Sequence, residues 1–153
     1  MITLDLIESA QKKWGDGIVK IGSLKNDYKL CKEFTSSFLN DTYSLKEGKI
    51  LFKPTKASDE QFRPNFDMVF SYFIGGKDSF CSEDEGFAMK PWVKVLFENS
   101  GVIIEKNRAI AMGNYFFTDS NGNTIKVEYS FGYKLIDSKL YIDLHHSSLP
   151  FNH

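Results

Sequence analysis

The longest continuous pattern in this sequence is an alternation of apolar and polar residues in its C-terminal part. Four segments carry the pattern, and they cover residues 92–105, 108–118, 124–136 and 139–149. A period of two residues is typical of strands that bury one face. The polar stretches between the segments, at 106–107, 119–123 and 137–138, have the composition of hairpin turns. We therefore predict four strands that form an antiparallel meander.

The predicted strands are longer than most strands in globular proteins, which average about five or six residues. A sheet built from such strands must twist and curl. Glycines inside strands mark places where a sheet bends, and Gly113 and Gly132 occupy such positions. The pattern therefore predicts a strongly curved sheet.

The first 45 residues have helical spacing. Thr3 is a suitable N-cap, and Leu4, Ile7, Ala10 and Trp14 lie on one face of the helix that follows. Gly15 and Gly17 weaken a helix, so we expect another element to pack closely against them. A second helix is predicted from the spacing of Tyr28, Cys31, Phe34 or Thr35, and Phe38, and it extends to Asn40.

The middle of the chain is less regular. Residues 50–52 form a short apolar strand that ends at Pro54, which cannot donate a backbone hydrogen bond and so marks an edge or an exit. Residues 65–74 fit either a strand or a short buried helix capped by Asn65 and closed by Gly75. The segment 75–85 has the composition of a loop.

Helices followed by a curled antiparallel sheet predict an α+β layer in which the N-terminal helices close one face of the sheet. Such a layer is a cone with an internal pocket. The arrangement resembles the nuclear transport factor 2-like, or SnoaL-like, fold. With 153 residues, of which 42% are hydrophobic, we expect a single domain over residues 1–153.

Composition also excludes several classes of function. The net charge of −1 and the lack of a basic block argue against nucleic acid as a partner. Cys31 and Cys81 match no metal or redox spacing, so we expect buried, reduced thiols. No secretory signal and no apolar run of about 20 residues is visible, which predicts a cytoplasmic protein without membrane association.

The segment 145–148, of sequence HHSS, carries the most chemistry and lies at the end of the last predicted strand. Because successive strand residues point to opposite faces, its two histidines diverge. This divergence argues against a mononuclear metal site, which needs three convergent ligands. The apolar positions of the strand continue onto His146 and Ser148, which we therefore predict to face the pocket. From the residues alone, a structural role for these side chains remains open.

The sequence around these positions resembles the iota-class carbonic anhydrases, in particular their metal-independent cyanobacterial and algal branch, whose domain is related to the calcium/calmodulin-dependent kinase II association domain. The resemblance rests on residues 145–150 (HHSSLP) and on blocks across most of the chain. These blocks are residues 14–17 (WGDG), 51–55 (LFKPT), 71–76 (SYFIGG), 84–88 (DEGFA), 91–92 (PW), 111–117 (AMGNYFF) and 127–133 (VEYSFGY).

The resemblance implies reversible hydration of carbon dioxide to bicarbonate without a metal or other cofactor. It implies that hydroxyl groups surround the bicarbonate, at Thr55, Tyr72 and Ser148, or at Ser147 if the strand bulges. We add the hypothesis that His146 accepts or relays the proton, because the ordinary pKa of histidine is near 6.5.

Two other functions remain possible at this point. The same fold hosts binding and association modules without catalysis, in which an exposed aromatic face of the sheet would mediate formation of a homodimer or higher oligomer. A SnoaL-type isomerase or cyclase would need a pocket carboxylate or histidine and a larger apolar pocket. A small, hydroxyl-lined pocket would favour bicarbonate.

Overall fold

The computed structural model describes residues 1–77 and 79–153. These residues form three α-helices and five strands. In chain order the elements are α1 (Leu4–Ser23), α2 (Tyr28–Thr42), β1 (Leu51–Lys53), α3 (Phe66–Ile74), β2 (Trp92–Ile104), β3 (Arg108–Asp119), β4 (Thr124–Ile136) and β5 (Lys139–Ser148). In the part of the chain that the structure describes, no helix has the length and apolar character needed to cross a membrane.

The five strands form one sheet in the order β1-β5-β4-β3-β2. Strands β2 to β5 pair antiparallel in sequence order, which confirms the predicted meander, and β1 joins the edge parallel to β5. Both predicted bend points lie at interruptions of the strand register. Gly113 faces the shift between Asn99 and Gly101, and Gly132 lies at a second shift in the pairing of β4 with β5.

Helix α1 begins where the sequence predicts, because the Thr3 side chain accepts the backbone N–H of Leu6. The predicted close packing at Gly17 is confirmed, since a Cβ atom there would lie 2.0 Å from Cε1 of Phe38 in α2. The ambiguous segment 65–74 is a helix: the Asn65 side chain accepts the N–H of Met68, and Gly75 follows the last turn with a positive φ.

The core lies between the helices and the concave face of the sheet, and it is largely aromatic. Trp14 of α1 sits at its centre, buried, with five aromatic rings and one imidazole around it. The contacting residues are Phe73, Phe97, Tyr115, Phe117, Phe131 and His145. Both cysteines are free and buried, as expected.

Candidate active site

The last strand presents His145 and Ser147 to the interior. Their side chains are 2% and 1% exposed, whereas His146 is exposed and Ser148 bonds with Glu128 at the surface. The predicted divergence of the two histidines is confirmed. The prediction that His146 and Ser148 face the pocket is wrong.

A β-bulge in β5 explains this difference. Tyr133 pairs with Ile142 and Gly132 pairs with Leu144, so Asp143 is an extra residue without a partner. An extra residue reverses which side chains face inward on the two sides of the bulge. Leu140 and Ile142 are buried before it, and His145 and Ser147 are buried after it.

Hydrogen bonds connect these two residues to side chains from four other parts of the chain. His145 Nδ1 lies 2.8 Å from the Tyr43 hydroxyl, which accepts the Trp14 indole N–H at 3.0 Å. On the other side of the ring, His145 Nε2 lies 3.0 Å from the Tyr115 hydroxyl. Ser147 Oγ lies 2.5 Å from that same hydroxyl and 2.5 Å from Thr55 Oγ1.

Thr55 and Tyr72 complete a cluster of hydroxyl groups with Ser147. Thr55 follows Pro54 at the end of β1 and is half-buried. Tyr72 lies on α3, is 4% exposed, and accepts the backbone N–H of Lys56 at 3.3 Å through its hydroxyl. The structure therefore brings together three of the residues expected at the site, Thr55, Tyr72 and Ser147, and keeps His146 and Ser148 apart from them.

The sequence alone did not indicate a role in the site for four residues: Trp14, Tyr43, Tyr115 and His145. In the sequence, Trp14 stands out only as part of a helix face and of a matching block, and Tyr115 only as part of a strand and of a matching block. Tyr115 lies at an inward position of β3, between buried Ala111 and Phe117. A buried tyrosine usually finds a partner for its hydroxyl, so its position in the strand is a signal that sequence reasoning could have used.

His145 is held between aromatic rings. Its imidazole stacks on Phe52 at 4.6 Å and on Phe131 at 4.1 Å between ring centroids. Burial lowers the pKa of His145 well below its usual value, and the nearby His146 adds to this effect. His145 is therefore a neutral imidazole at neutral pH.

Burial also keeps the tyrosines of the site protonated. It raises the pKa of Tyr43, Tyr72 and Tyr115 well above the usual value for a phenol, although hydrogen bonds lower each of them by a smaller amount. At neutral pH these groups offer an O–H donor and oxygen lone pairs, and they do not act as phenolate bases.

A cavity of about 430 Å³ opens beside Tyr72. Phe87 and Trp92 form an aromatic wall next to Tyr72, and Lys56 and Lys90 are exposed residues that line the same cavity. Glu83, Asp84 and Glu85 also line it. Charged walls of this kind suit a small polar solute better than the large apolar substrate of a SnoaL-type isomerase.

A buried ion pair anchors the loop next to this cavity. The fully buried Arg63 guanidinium donates to both Asp84 carboxylate oxygens at 2.8 Å, and the Ser71 hydroxyl donates to the same carboxylate at 2.6 Å. Ser71 immediately precedes Tyr72, so the ion pair fixes this part of α3. Hydrogen bonds from the backbone N–H groups of Glu60 and Ser58 lower the pKa of the neighbouring Glu83 to about 2.

Within residues 1–77 and 79–153, no three His, Cys, Asp or Glu side chains are grouped closely enough to hold a metal ion.

Comparison with known proteins identifies the family. The family model described as metal-independent carbonic anhydrase matches residues 5–149. A metal-independent carbonic anhydrase from Nostoc sp. (strain PCC 7120 / SAG 25.82 / UTEX 2576) is 37% identical over 155 residues, which cover 98% of this chain and 75% of that protein.

Solved structures agree with this result. The iota-carbonic anhydrase from a cyanobacterium, complexed with bicarbonate, is 35% identical and superposes with a TM-score of 0.94, covering 99% of this chain and 94% of the other. A putative calcium/calmodulin dependent protein kinase II association domain from Xanthomonas campestris is 18% identical, with a TM-score of 0.62, covering 96% and 87% of the two chains. The second likeness concerns the fold alone and, with other NTF2-like neighbours, confirms the predicted α+β fold class. The chain belongs to the family of metal-independent carbonic anhydrases.

Proposed function

We propose that this chain catalyses the reversible hydration of carbon dioxide to bicarbonate without a metal cofactor, at the hydroxyl groups of Thr55 and Tyr72. The observation that carries the proposal is the convergence of these two groups with Ser147 from three separate elements, in a chain that superposes closely on a carbonic anhydrase with bicarbonate bound. Bicarbonate is a small anion with three oxygens, and several converging donors are suited to it.

In the reaction, a water oxygen forms a bond with the carbon of carbon dioxide. One electron pair of a C=O bond moves onto its oxygen, and the water loses a proton, so that bicarbonate and a proton result. Negative charge develops on the carbon dioxide oxygens. The O–H groups of Thr55 and Tyr72 are placed to donate hydrogen bonds to that charge, and donors held in place before reaction lower the barrier most effectively.

The proton leaves by the open side of the site. His146 lies on the opposite, exposed face of β5, so it is not the acceptor. His145 has both ring nitrogens in hydrogen bonds and is surrounded by aromatic rings, so it does not take up the proton. We propose that the proton passes to water in the cavity beside Tyr72 and from there to solvent or buffer.

The test is a carbon dioxide hydration assay on the purified protein, with and without a strong chelator. We expect activity that survives the chelator and falls at least tenfold in Tyr72→Phe and in Thr55→Val, because each removes a donor to the developing charge. Tyr129→Phe and Thr118→Val are matched controls, because their hydroxyls bond with Asn99 and Thr124 elsewhere in the sheet. Full activity in both site variants would contradict the assigned residues, and loss of activity with chelator would contradict the absence of a metal.

We also propose that the chain forms at least a homodimer through the outer face of the sheet. Leu96 and Ile103 of β2 and Ile110 and Met112 of β3 project from this face and are 43–61% exposed. Exposed apolar patches of this kind favour association between copies. Light scattering on the eluted protein should give the mass of a dimer, and Met112→Lys should shift it toward the monomer. A monomer in the unmodified protein would refute this proposal.

Two further predictions accompany the proposal. Residues 1–153 form a single domain, so heat or urea should unfold the protein in one transition. The predicted cytoplasmic location can be checked by cell fractionation, in which the protein should appear in the cytosolic fraction.

A further inference from the structure

Six side chains form one continuous hydrogen-bonded series that ends at the proposed site. In order, they are Trp14, Tyr43, His145, Tyr115, Ser147 and Thr55, and the five links measure 3.0, 2.8, 3.0, 2.5 and 2.5 Å. The first five side chains are at most 2% exposed, whereas Thr55 is half-buried. Solvent therefore reaches the series only at its Thr55 end.

Trp14, at the buried end of the series, fixes which group donates in each hydrogen bond. An indole N–H is only a donor, so the Tyr43 oxygen accepts from Trp14. The single hydroxyl proton of Tyr43 is then available for His145 Nδ1. A neutral imidazole carries one N–H, and since Nδ1 accepts, Nε2 carries the hydrogen and donates to Tyr115.

The same pairing of donors with acceptors continues from Tyr115 to Thr55. Tyr115 donates to Ser147, and Ser147 donates to Thr55. The hydroxyl proton of Thr55 is then left over and is available to a partner outside the series. In this arrangement every buried donor of the series has an acceptor.

The opposite direction is less favourable. If His145 carried its hydrogen on Nδ1, the Tyr43 oxygen would accept from both Trp14 and His145, and its own O–H would have no acceptor among the recorded contacts of the described residues. Tyr43 is 0% exposed, so water does not replace the missing partner. An unpaired buried donor costs about 1–3 kcal/mol. Thr55 would then donate to Ser147 and offer only lone pairs to a group outside the series, and these would repel an anion.

We propose that Trp14 and Tyr43 are positioning residues, which hold His145 as the Nε2–H tautomer and thereby keep Thr55 oriented as a hydrogen-bond donor toward bicarbonate. The identity of the anion rests on the proposed function, whereas the direction of the series does not. Trp14 has no second proton-transfer partner, so the series ends there and orients donors without carrying protons to solvent.

The direct test is the tautomer of His145 in the unmodified protein. A long-range ¹H–¹⁵N correlation spectrum of protein labelled with ¹⁵N-histidine separates protonated from unprotonated ring nitrogens. The exposed His146 and the terminal His153 are assigned by elimination in His146→Gln and His153→Gln. We expect His145 to carry hydrogen on Nε2 alone at pH 7. Hydrogen on Nδ1, or on both nitrogens, would overturn the proposal.

The second test changes the buried end of the series. Benzothienylalanine in place of Trp14 keeps the shape of the bicyclic ring but replaces the N–H donor with a sulfur atom, a weak acceptor. Tyr43→Phe removes the next link with little change in volume. In the Trp14 variant we expect the Nδ1–H tautomer to appear, because the Tyr43 O–H can turn to the sulfur and the Tyr43 oxygen can then accept from Nδ1, and we expect kcat for hydration to fall about tenfold, less than for loss of a direct donor. Tyr43→Phe leaves Nδ1 without a partner, where an N–H would be an unpaired buried donor, so this variant should keep the Nε2–H tautomer and most of its activity. Tyr129→Phe, whose hydroxyl lies outside the series, should change neither quantity.

The outcomes separate the two proposals. A changed tautomer with unchanged kcat would refute the link between Trp14, Tyr43 and Thr55. An unmodified protein without hydration activity would refute the proposed function, and the tautomer would still decide the direction of the series.

Discussion

Replacement of Ser147 by alanine tests both the corrected face of β5 and the proposed site. Ser147 Oγ joins the Tyr115 and Thr55 hydroxyls, at 2.5 Å from each. Alanine keeps the volume nearly unchanged, so the effect reports the lost hydroxyl. Ser148→Ala is the matched control, one residue away on the opposite face, where the hydroxyl bonds with Glu128 at 3.3 Å.

The magnitude follows from burial. Tyr115 is 1% exposed, so its O–H loses its acceptor at 2.5 Å when Ser147 becomes alanine, and bulk water does not replace that acceptor. The free energy of unfolding should fall by about 1–3 kcal/mol, which lowers the urea midpoint by roughly 0.5–1.5 M for an m value of about 2 kcal/mol/M. Because Thr55 also loses the donor that orients it, kcat for hydration should fall about tenfold to a hundredfold. Ser148→Ala should change stability by less than about 0.5 kcal/mol.

Stopped-flow hydration with a pH indicator and urea unfolding followed by tryptophan fluorescence measure both quantities. A double-mutant cycle with Thr55→Val adds a sharper criterion, because residues of one hydrogen-bonded series should show non-additive losses. Full hydration activity in Ser147→Ala combined with a loss of activity in Ser148→Ala would refute the reasoning. The active site would then lie on the face of β5 that carries Ser148.

Three further predictions concern stability. Burial lowers the pKa of His145 in the folded protein, so the unfolded chain binds more protons than the folded protein below about pH 6.5. The free energy of unfolding should therefore fall from pH 7 to pH 5. A constant urea midpoint over this range would contradict the prediction. Gly17→Ala should lower the melting temperature, because the new Cβ atom would lie 2.0 Å from the Phe38 ring. Gly101→Ala is the control, since no atom lies within 4 Å of a Cβ atom at that position. Equal melting temperatures for the two variants would refute the packing argument. Asp84→Ala should cost about 3 kcal/mol in urea unfolding, because it removes both 2.8 Å hydrogen bonds to a carboxylate from a buried guanidinium and leaves it only the Glu83 carboxylate at 3.5 Å, and a loss below about 1 kcal/mol would refute this estimate.

Most of the fold follows from local patterns. The alternation of β2 to β5 and the cap at Thr3 depend on neighbouring residues, and the observed elements begin and end close to the predicted bounds. The segment 65–74 needed the structure, because a short and mostly apolar segment is compatible with either a helix or a strand.

The site was predicted only in part. Thr55, Tyr72 and the fallback Ser147 were identified by resemblance, and the structure places them together. Trp14, Tyr43 and Tyr115 were missed as members of the series because 29 to 102 residues separate the partners of its first three links. No local pattern indicates which buried hydroxyls meet across such separations.

The amino-acid sequence by itself determined the family and the antiparallel meander of β2 to β5, and it indicated the segment 145–148 as the centre of the proposed chemistry. Only the tertiary structure decided which half of that segment faces inward. The physical reason is the bulge at Asp143: inward and outward positions alternate only along an uninterrupted ladder, and whether the ladder is interrupted depends on the pairing of β5 with β4 at the Gly132 bend. In the sequence of β5 alone, the alternation that begins with Leu140 and Ile142 predicts His146 and Ser148 as the inward residues. In the paired strand, His145 and Ser147 face inward instead.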